Sequence, residues 1–126
     1  MDEIKKFIDE LGIASLESNM KIASIAVVSD LGEVISQTNN WDLTNQSDFI
    51  QNVINGEPTF VLNNINFSVV ETSTEGIVGT NHSGMGHVIF APFEGGMIVS
   101  YAMPQADPTK ALSFLKNYAM KLNSKI

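Results

Sequence analysis

A chain of 126 residues, 44% of them hydrophobic, carries enough apolar material for one core, so residues 1–126 are expected to form a single domain. The formal charge is −7, and its layout says more than its size: there is no arginine, and between Lys21 and Lys110 no lysine either, although that interval holds Asp30, Glu33, Asp42, Asp48, Glu57, Glu71, Glu75 and Glu94. A nucleic-acid partner needs a basic groove to displace counterions, and bidentate phosphate recognition needs arginine, so both are set aside.

The absence of cysteine excludes a disulfide scaffold and a thiolate metal site. No basic segment followed by an apolar run opens the chain, and no apolar stretch approaches the ~20 residues of a membrane helix. The expectation is a cytoplasmic protein without a membrane span. In that setting Asn45-Gln46-Ser47 and Asn81-His82-Ser83 match the glycosylation triplet by chance.

In chain order, Asp2 to Leu11 reads as a helix. Ile4, Phe7, Ile8 and Leu11 make one apolar stripe, with charged residues outside it, and Gly12 ends it. Ile13–Met20 reads equally as a linker or a second short turn. Ile22–Ser29 is rich in β-formers, Asp30-Leu31-Gly32 turns the chain, and Glu33–Thr38 returns as the partner of a hairpin. Asn39-Asn40-Trp41-Asp42 is a loop, in which Trp41 is expected to pin the chain onto the sheet; an exposed anchor for a partner is the alternative. Thr44 is a candidate N-cap for a short helix over Gln46–Asn55, stopped by Gly56 and Pro58.

Five short strands follow in unbroken succession: Thr59–Leu62, Ile65–Glu71, Gly76–Thr80, His87–Pro92 and Met97–Met103. Asn63-Asn64, Gly76, Ser83-Gly84-Met85-Gly86 and Gly95-Gly96 supply the turns. In the second of these strands Ile65, Phe67 and Val69 point one way and Asn66, Ser68 and Val70 the other. The last is apolar on both faces, which predicts an interior place in the sheet. Asp107-Pro108 then caps a final helix running to about Asn123, with Ala111, Leu112, Phe114, Leu115, Tyr118, Ala119 and Leu122 inward and Lys110, Ser113, Lys116, Asn117 and Lys121 outward. The fold expected is α+β: a central antiparallel sheet of about seven strands, N- and C-terminal helices on one face, and a short helix between the first hairpin and the five-strand meander.

His82 and His87 flank a glycine loop, but no Asp or Glu lies between Glu75 and Glu94 to complete a metal site, so no metal is expected. No nucleophile elbow, phosphate loop or dinucleotide fingerprint lies between a strand and a helix. Paired carboxylates such as Asp9 and Glu10 read as a solvated helix face. The reading is of a non-catalytic protein without a cofactor.

Taken together, the order of elements and several local patterns resemble the profilin family. They are Asn55-Gly56-Glu57-Pro58-Thr59-Phe60, Phe67-Ser68-Val69-Val70, Ser83-Gly84-Met85-Gly86 leading into His87-Val88-Ile89-Phe90, Gly95-Gly96-Met97-Ile98-Val99-Ser100-Tyr101, and the capped last helix. The arginine-free composition looks more like the divergent profilins of archaea than those of animals or plants. The resemblance implies a cytoskeletal protein that binds actin, or an archaeal actin homologue, and regulates its polymerisation.

Carried over by position, the actin face would include Phe60, Val61, Asn66, Ser68, Val70, Glu71, Thr80 and His82 on the sheet, and Thr109, Ser113, Lys116 and Asn117 on the last helix. Profilins often place basic residues where this chain has Glu71, Thr80 and His82. Proline-rich ligands, which profilins hold between their terminal helices, would find only Phe7 and Tyr118, so binding there is expected to be weak or absent. Phosphoinositide binding is expected to be weak at most, since only scattered lysines could supply it. A monomer is expected. The alternative is a roadblock or longin-type module in small-GTPase regulation, which would want a longer middle helix and fewer strands after it. A ligand-sensing domain of PAS or GAF kind would instead need an apolar pocket with converging polar groups.

Overall fold

The computed structural model describes residues 2–38, 41, 43 and 48–125. Helix α1 (Asp2–Glu17) is followed by the hairpin β1 (Ile22–Ser29) and β2 (Val34–Gln37). Helix α2 (Asp48–Ile54) precedes β3 (Thr59–Leu62), β4 (Ile65–Thr72), β5 (Ile77–Asn81), β6 (Gly86–Phe93) and β7 (Gly96–Ala102). Helix α3 (Pro108–Ala119) closes the order, with one 3-10 turn over Met120–Leu122. The expected N-cap Thr44 and most of the Asn39–Asp42 loop lie outside the described residues.

One antiparallel sheet takes all seven strands in the order β2-β1-β7-β6-β5-β4-β3. β7 is interior, flanked by β1 and β6, as its two-sided apolar pattern requires. Alternation splits the sheet into two cores. On one face α1 (Ile4, Ile8, Leu11) and α3 (Ala111, Leu112, Leu115, Ala119) cover Ile25, Val27, Val78, Ile89 and Ile98. On the other α2 (Phe49, Ile50, Val53), with Trp41 and Leu43, covers Ala26, Val28, Phe60, Phe67, Val88, Phe90 and Val99. Trp41 is 8% exposed and stands 6.4 Å from the Tyr101 ring, so it pins its loop to the sheet and is no free anchor.

The first helix corrects the sequence reading, since it continues five residues past Gly12. Glycine there costs about 1 kcal/mol against alanine, but the buried stripe does not stop at Leu11. Ser15, 2% exposed, extends it and donates its hydroxyl to the Gly12 carbonyl at 2.9 Å. Asn19 ends the helix instead, at φ 56°, with its N–H on the Leu16 carbonyl and the Met20 N–H on the Ser15 carbonyl. The middle helix is described over Asp48–Ile54 and Asn55 is already in the turn; Gln46 and Ser47, where it was expected to begin, lie outside the described residues.

The second correction is in β4. Val69 pairs with Gly79 and Glu71 with Val78, leaving Val70 as an unpaired bulge residue. Strict alternation would put Glu71 on the Phe67 side. Through the bulge it shares a face with Ser68 instead, because their partners Val78 and Thr80 are two apart on β5.

Phe60 is the centre of the second core. It stacks on Phe49 (5.5 Å) and Phe67 (5.2 Å), meets Phe90 edge-on (5.6 Å), and lies over Gly79. A Cβ at Gly79 would fall 2.5 Å from the Phe60 ring. Gly79→Ala is therefore expected to lower the unfolding free energy by about 1–3 kcal/mol through overpacking, read as a fall in the denaturant midpoint at unchanged slope.

Candidate functional site

Among the described residues, no helix covers the α3-side face of β3 and β4. Cross-strand partners place Thr59 with Ser68 and Val61 with Asn66 on this face, and Thr80 beside Ser68 on β5. Helix α3 borders it. Asp107 caps that helix by accepting from the Thr109 and Lys110 N–H groups at 3.1 and 3.2 Å, and Pro108 fixes the first turn. The helix border is stitched to the strands by two hydroxyl–carboxylate bonds: Thr109 Oγ1 donates to Glu71 Oε1 at 2.9 Å, and Ser113 Oγ to Glu75 Oε1 at 3.2 Å. Glu75 was not among the sequence candidates. It sits in the β4–β5 turn, and only the register of that turn brings it to the helix.

At the other end of the face a groove of about 370 Å³ runs between the β3–β4 hairpin tip and the β5–β6 loop, lined among others by Asn66, Ser68, Asn81, His82 and Met85. Asn81 shapes the loop. Its carboxamide oxygen accepts from the Ser83 and Met85 N–H groups at 2.9 and 3.1 Å, while its Nδ2 donates to the Asn66 carbonyl at 2.7 Å. The Tyr101 hydroxyl donates to the Met85 carbonyl from below. His87 lies between Thr80 Oγ1 (2.9 Å from Nδ1) and the Pro104 carbonyl (3.4 Å from Nε2). That carbonyl can only accept, so its partner on His87 is an Nε2 proton, with the Thr80 hydroxyl at Nδ1. Among the described residues no three His, Asp or Glu side chains are grouped as for a metal ion.

The predicted residues sort as follows. Val61, Asn66, Ser68, Glu71, Thr80, Thr109 and Ser113 come together on one surface, with His82 in the groove at its end. Phe60 does not belong there: it is 5% exposed and faces the opposite core, one residue out of phase with Val61. Val70 is 53% exposed at the bulge and has no partner on β5. Asn117 is exposed on α3. Lys116 is not a free surface charge, because its ammonium group donates to the Pro92 carbonyl of β6 at 2.5 Å and the side chain is half-buried. Phe7 and Tyr118 meet elsewhere, between the terminal helices, with rings 6.2 Å apart and Phe114 5.1 Å from Tyr118. Phe7 and Phe114 are only partly buried there, less than their places in the apolar stripes suggest. Lys121 Nζ covers the Tyr118 ring at 4.5 Å.

A seven-stranded antiparallel sheet, both terminal helices on one side and a short helix on the other, is the profilin architecture. No protein-family profile matches the chain. Loki profilin-1 of Lokiarchaeum sp. (strain GC14_75) is 31% identical over a 136-residue alignment that covers 99% of this chain and 98% of that protein. The profilin of the Loki profilin-2/rabbit actin complex superimposes with a TM-score of 0.87 at 28% identity, over 100% of this chain and 99% of its own. Acanthamoeba castellanii profilin IB shares the fold at a TM-score of 0.69 over 86% of this chain and 90% of its own, at 15% identity. The chain belongs to the profilin family, and its near relatives are archaeal. A roadblock or longin-type module is set aside, since five strands follow α2 and the relatives are profilins.

The Lys116 geometry carries a consequence for mutagenesis. Lys116→Ala removes a charge-assisted bond to a β6 carbonyl along with the packing of its stem, and is expected to cost about 1 kcal/mol of stability, discounted for its partial exposure. Chemical denaturation of the variant checks this.

Proposed function

We propose that this protein binds monomeric actin, or an archaeal actin homologue, and restrains its polymerisation without itself catalysing a reaction. The observation that carries the reading is the full-length superposition, at a TM-score of 0.87, on a profilin solved in complex with actin. The open face described above supports it. That face mixes exposed aliphatic side chains, Val61 and Val70, with hydroxyls, amides and carboxylates, the texture of an interface that forms and dissolves. The contact surface in this reading is Val61, Asn66, Ser68, Val70, Glu71, Thr80 and His82 with Thr109, Ser113 and Asn117, and Lys116 acts from its rim. Among the described residues no helix is long and apolar enough to cross a membrane, and the proposed place of action is the cytoplasm, beside the filaments.

Two further properties belong to the same reading. The protein works as a monomer, and light scattering on the isolated chain tests that. Proline-rich segments bind weakly or not at all, and phosphoinositides weakly at most: among the described residues the aromatic rings between the terminal helices are Phe7, Phe114 and Tyr118, and Lys121 already occupies a face of Tyr118. A decaproline titration should show no saturation in the low-micromolar range; saturation there would refute the point.

The central test follows spontaneous polymerisation of a cognate actin. Wild-type protein should delay it in proportion to dose. Val70→Glu, at an exposed position that the fold does not need, should lose most of the delay. Lys116→Ala should lose part of it, chiefly through slower association, when compared under conditions where circular dichroism shows it folded. Wild-type protein with no effect on any actin at tens of micromolar would defeat the proposal.

A further inference from the structure

The sheet has two edges, β2 and β3, and at β3 the hydrogen-bond phase can be worked out. Leu62 and Ile65 flank the two-residue turn Asn63-Asn64, whose φ angles of 52° and 64° suit a tight hairpin, so they form a bonded pair. At the far end the Val69 N–H donates to the Pro58 carbonyl at 2.8 Å. Bonded and non-bonded pairs alternate, so Pro58, Phe60 and Leu62 turn their backbone groups toward β4 while Thr59 and Val61 turn theirs outward. Among the described residues no strand lies beyond them, and both are exposed. Alongside this edge a groove of about 460 Å³ opens between β3 and α2. The buried rings of Phe49 and Phe60 form its apolar floor, and Asp48 and Asn52 its polar rim. Exposed Glu57 stands just before the strand.

Charge decides what this edge can accept. The interval without lysine or arginine spans α2 and every strand, so the neighbourhood holds Asp48 and Glu57 with no cation of its own. A second copy of the chain, itself at −7, would bring the same acidic edge against it. A polyanion is repelled for the same reason. An extended basic segment meets no such cost.

We infer that the β3 edge and its groove bind an extended segment of a partner protein with lysine or arginine at alternate positions, added to the sheet as an eighth strand. The outward N–H and carbonyl groups of Thr59 and Val61 hold its backbone. Side chains of one parity lie over the groove, where Asp48 and Asn52 receive the cations. Those of the other parity lie beside Val61. The inference does not depend on actin binding, and its test contains no actin.

The full chain, 15N-labelled, is titrated with a capped peptide of alternating lysine and valine. Two controls are used: the same composition with the lysines in one block, and the alternating peptide N-methylated at the residues that would face β3. The expected result is saturable binding, with amide shifts centred on Thr59, Val61, Asp48 and Asn52 and slowed exchange of the Thr59 and Val61 amides. N-methylation should weaken it about tenfold or more by removing main-chain bonds. Asp48→Asn with Glu57→Lys, both at exposed positions, should weaken it severalfold without disturbing the fold. Equal affinity for the N-methylated or block peptide would reduce the effect to unspecific charge attraction and overturn the inference. Shifts centred on the terminal helices, or no saturation at millimolar peptide, would overturn it too.

Discussion

Strands β3 and β4 at one edge of this sheet are covered mainly from one side, and what holds them is the stack of phenylalanine rings around Phe60. Helix α3 packs on β5, β6 and β7 and reaches β4 through the Thr109–Glu71 bond at its border, so most of the α3-side face of β3 and β4 stays bare. A strand pair clad on one face needs strong attachment on the other. Phe60 provides it through Phe49 on α2, Phe67 on β4 and Phe90 on β6. The absence of a side chain at Gly79 lets its ring settle between strands. The bare face can then be polar and solvated without loss of the fold, because the binding of β3 and β4 to the domain is done from behind. Placing Phe60 among the contact residues confused the fastening with the surface it supports.

Much of this was legible in the sequence because period and punctuation agreed. β1 and β3 have the predicted limits, β4 runs one residue further, and β5 to β7 differ by one residue at each end, with glycine or asparagine in the turns between β3 and β7. The two-sided apolar character of β7 foretold its interior place, and Asp107-Pro108 the start of α3. What failed was local and physical. Gly12 reads as a stop by propensity, yet the buried stripe runs on through Ser15, a polar residue that a search for apolar spacing passes over; its hydroxyl is satisfied inside the helix. Asn19 at positive φ did the work expected of glycine.

The bulge at Val70 was invisible for a different reason. Period-two counting assumes an unbroken ladder, and nothing in Val69-Val70-Glu71 marks an extra residue. Its effect is large for the candidate site, because it turns Glu71 from the phenylalanine core to the face of Ser68, where Thr109 can reach it. A carboxylate directed into the aromatic core would have had to be buried unpaired, which costs several kcal/mol. The bulge resolves that conflict, so a charge at the end of an otherwise alternating strand was the one available hint. Glu75 had no such hint, since its role depends on the distance between a turn and a helix that only the fold brings together.

The same two carboxylates give the face its electrical character. Each accepts from a hydroxyl of α3, so Glu71 and Glu75 are held in position by neutral donors and not by a lysine that would offset their charge. The cation that might have neutralised the border, Lys116, is instead committed to the Pro92 carbonyl. Profilins often carry basic residues on these strands, and this chain has the opposite sign fixed in place by its own helix. In the proposed actin-binding reading, complementarity calls for a partner surface that is basic where it meets Glu71 and Glu75, whereas Lys116 stands apart on the β6 side of α3. In that reading an actin matched to this face differs there from one recognised by a basic profilin face, and the difference is felt first in the rate of encounter, where long-range charge acts, and only second in the lifetime of the complex, which short-range packing sets.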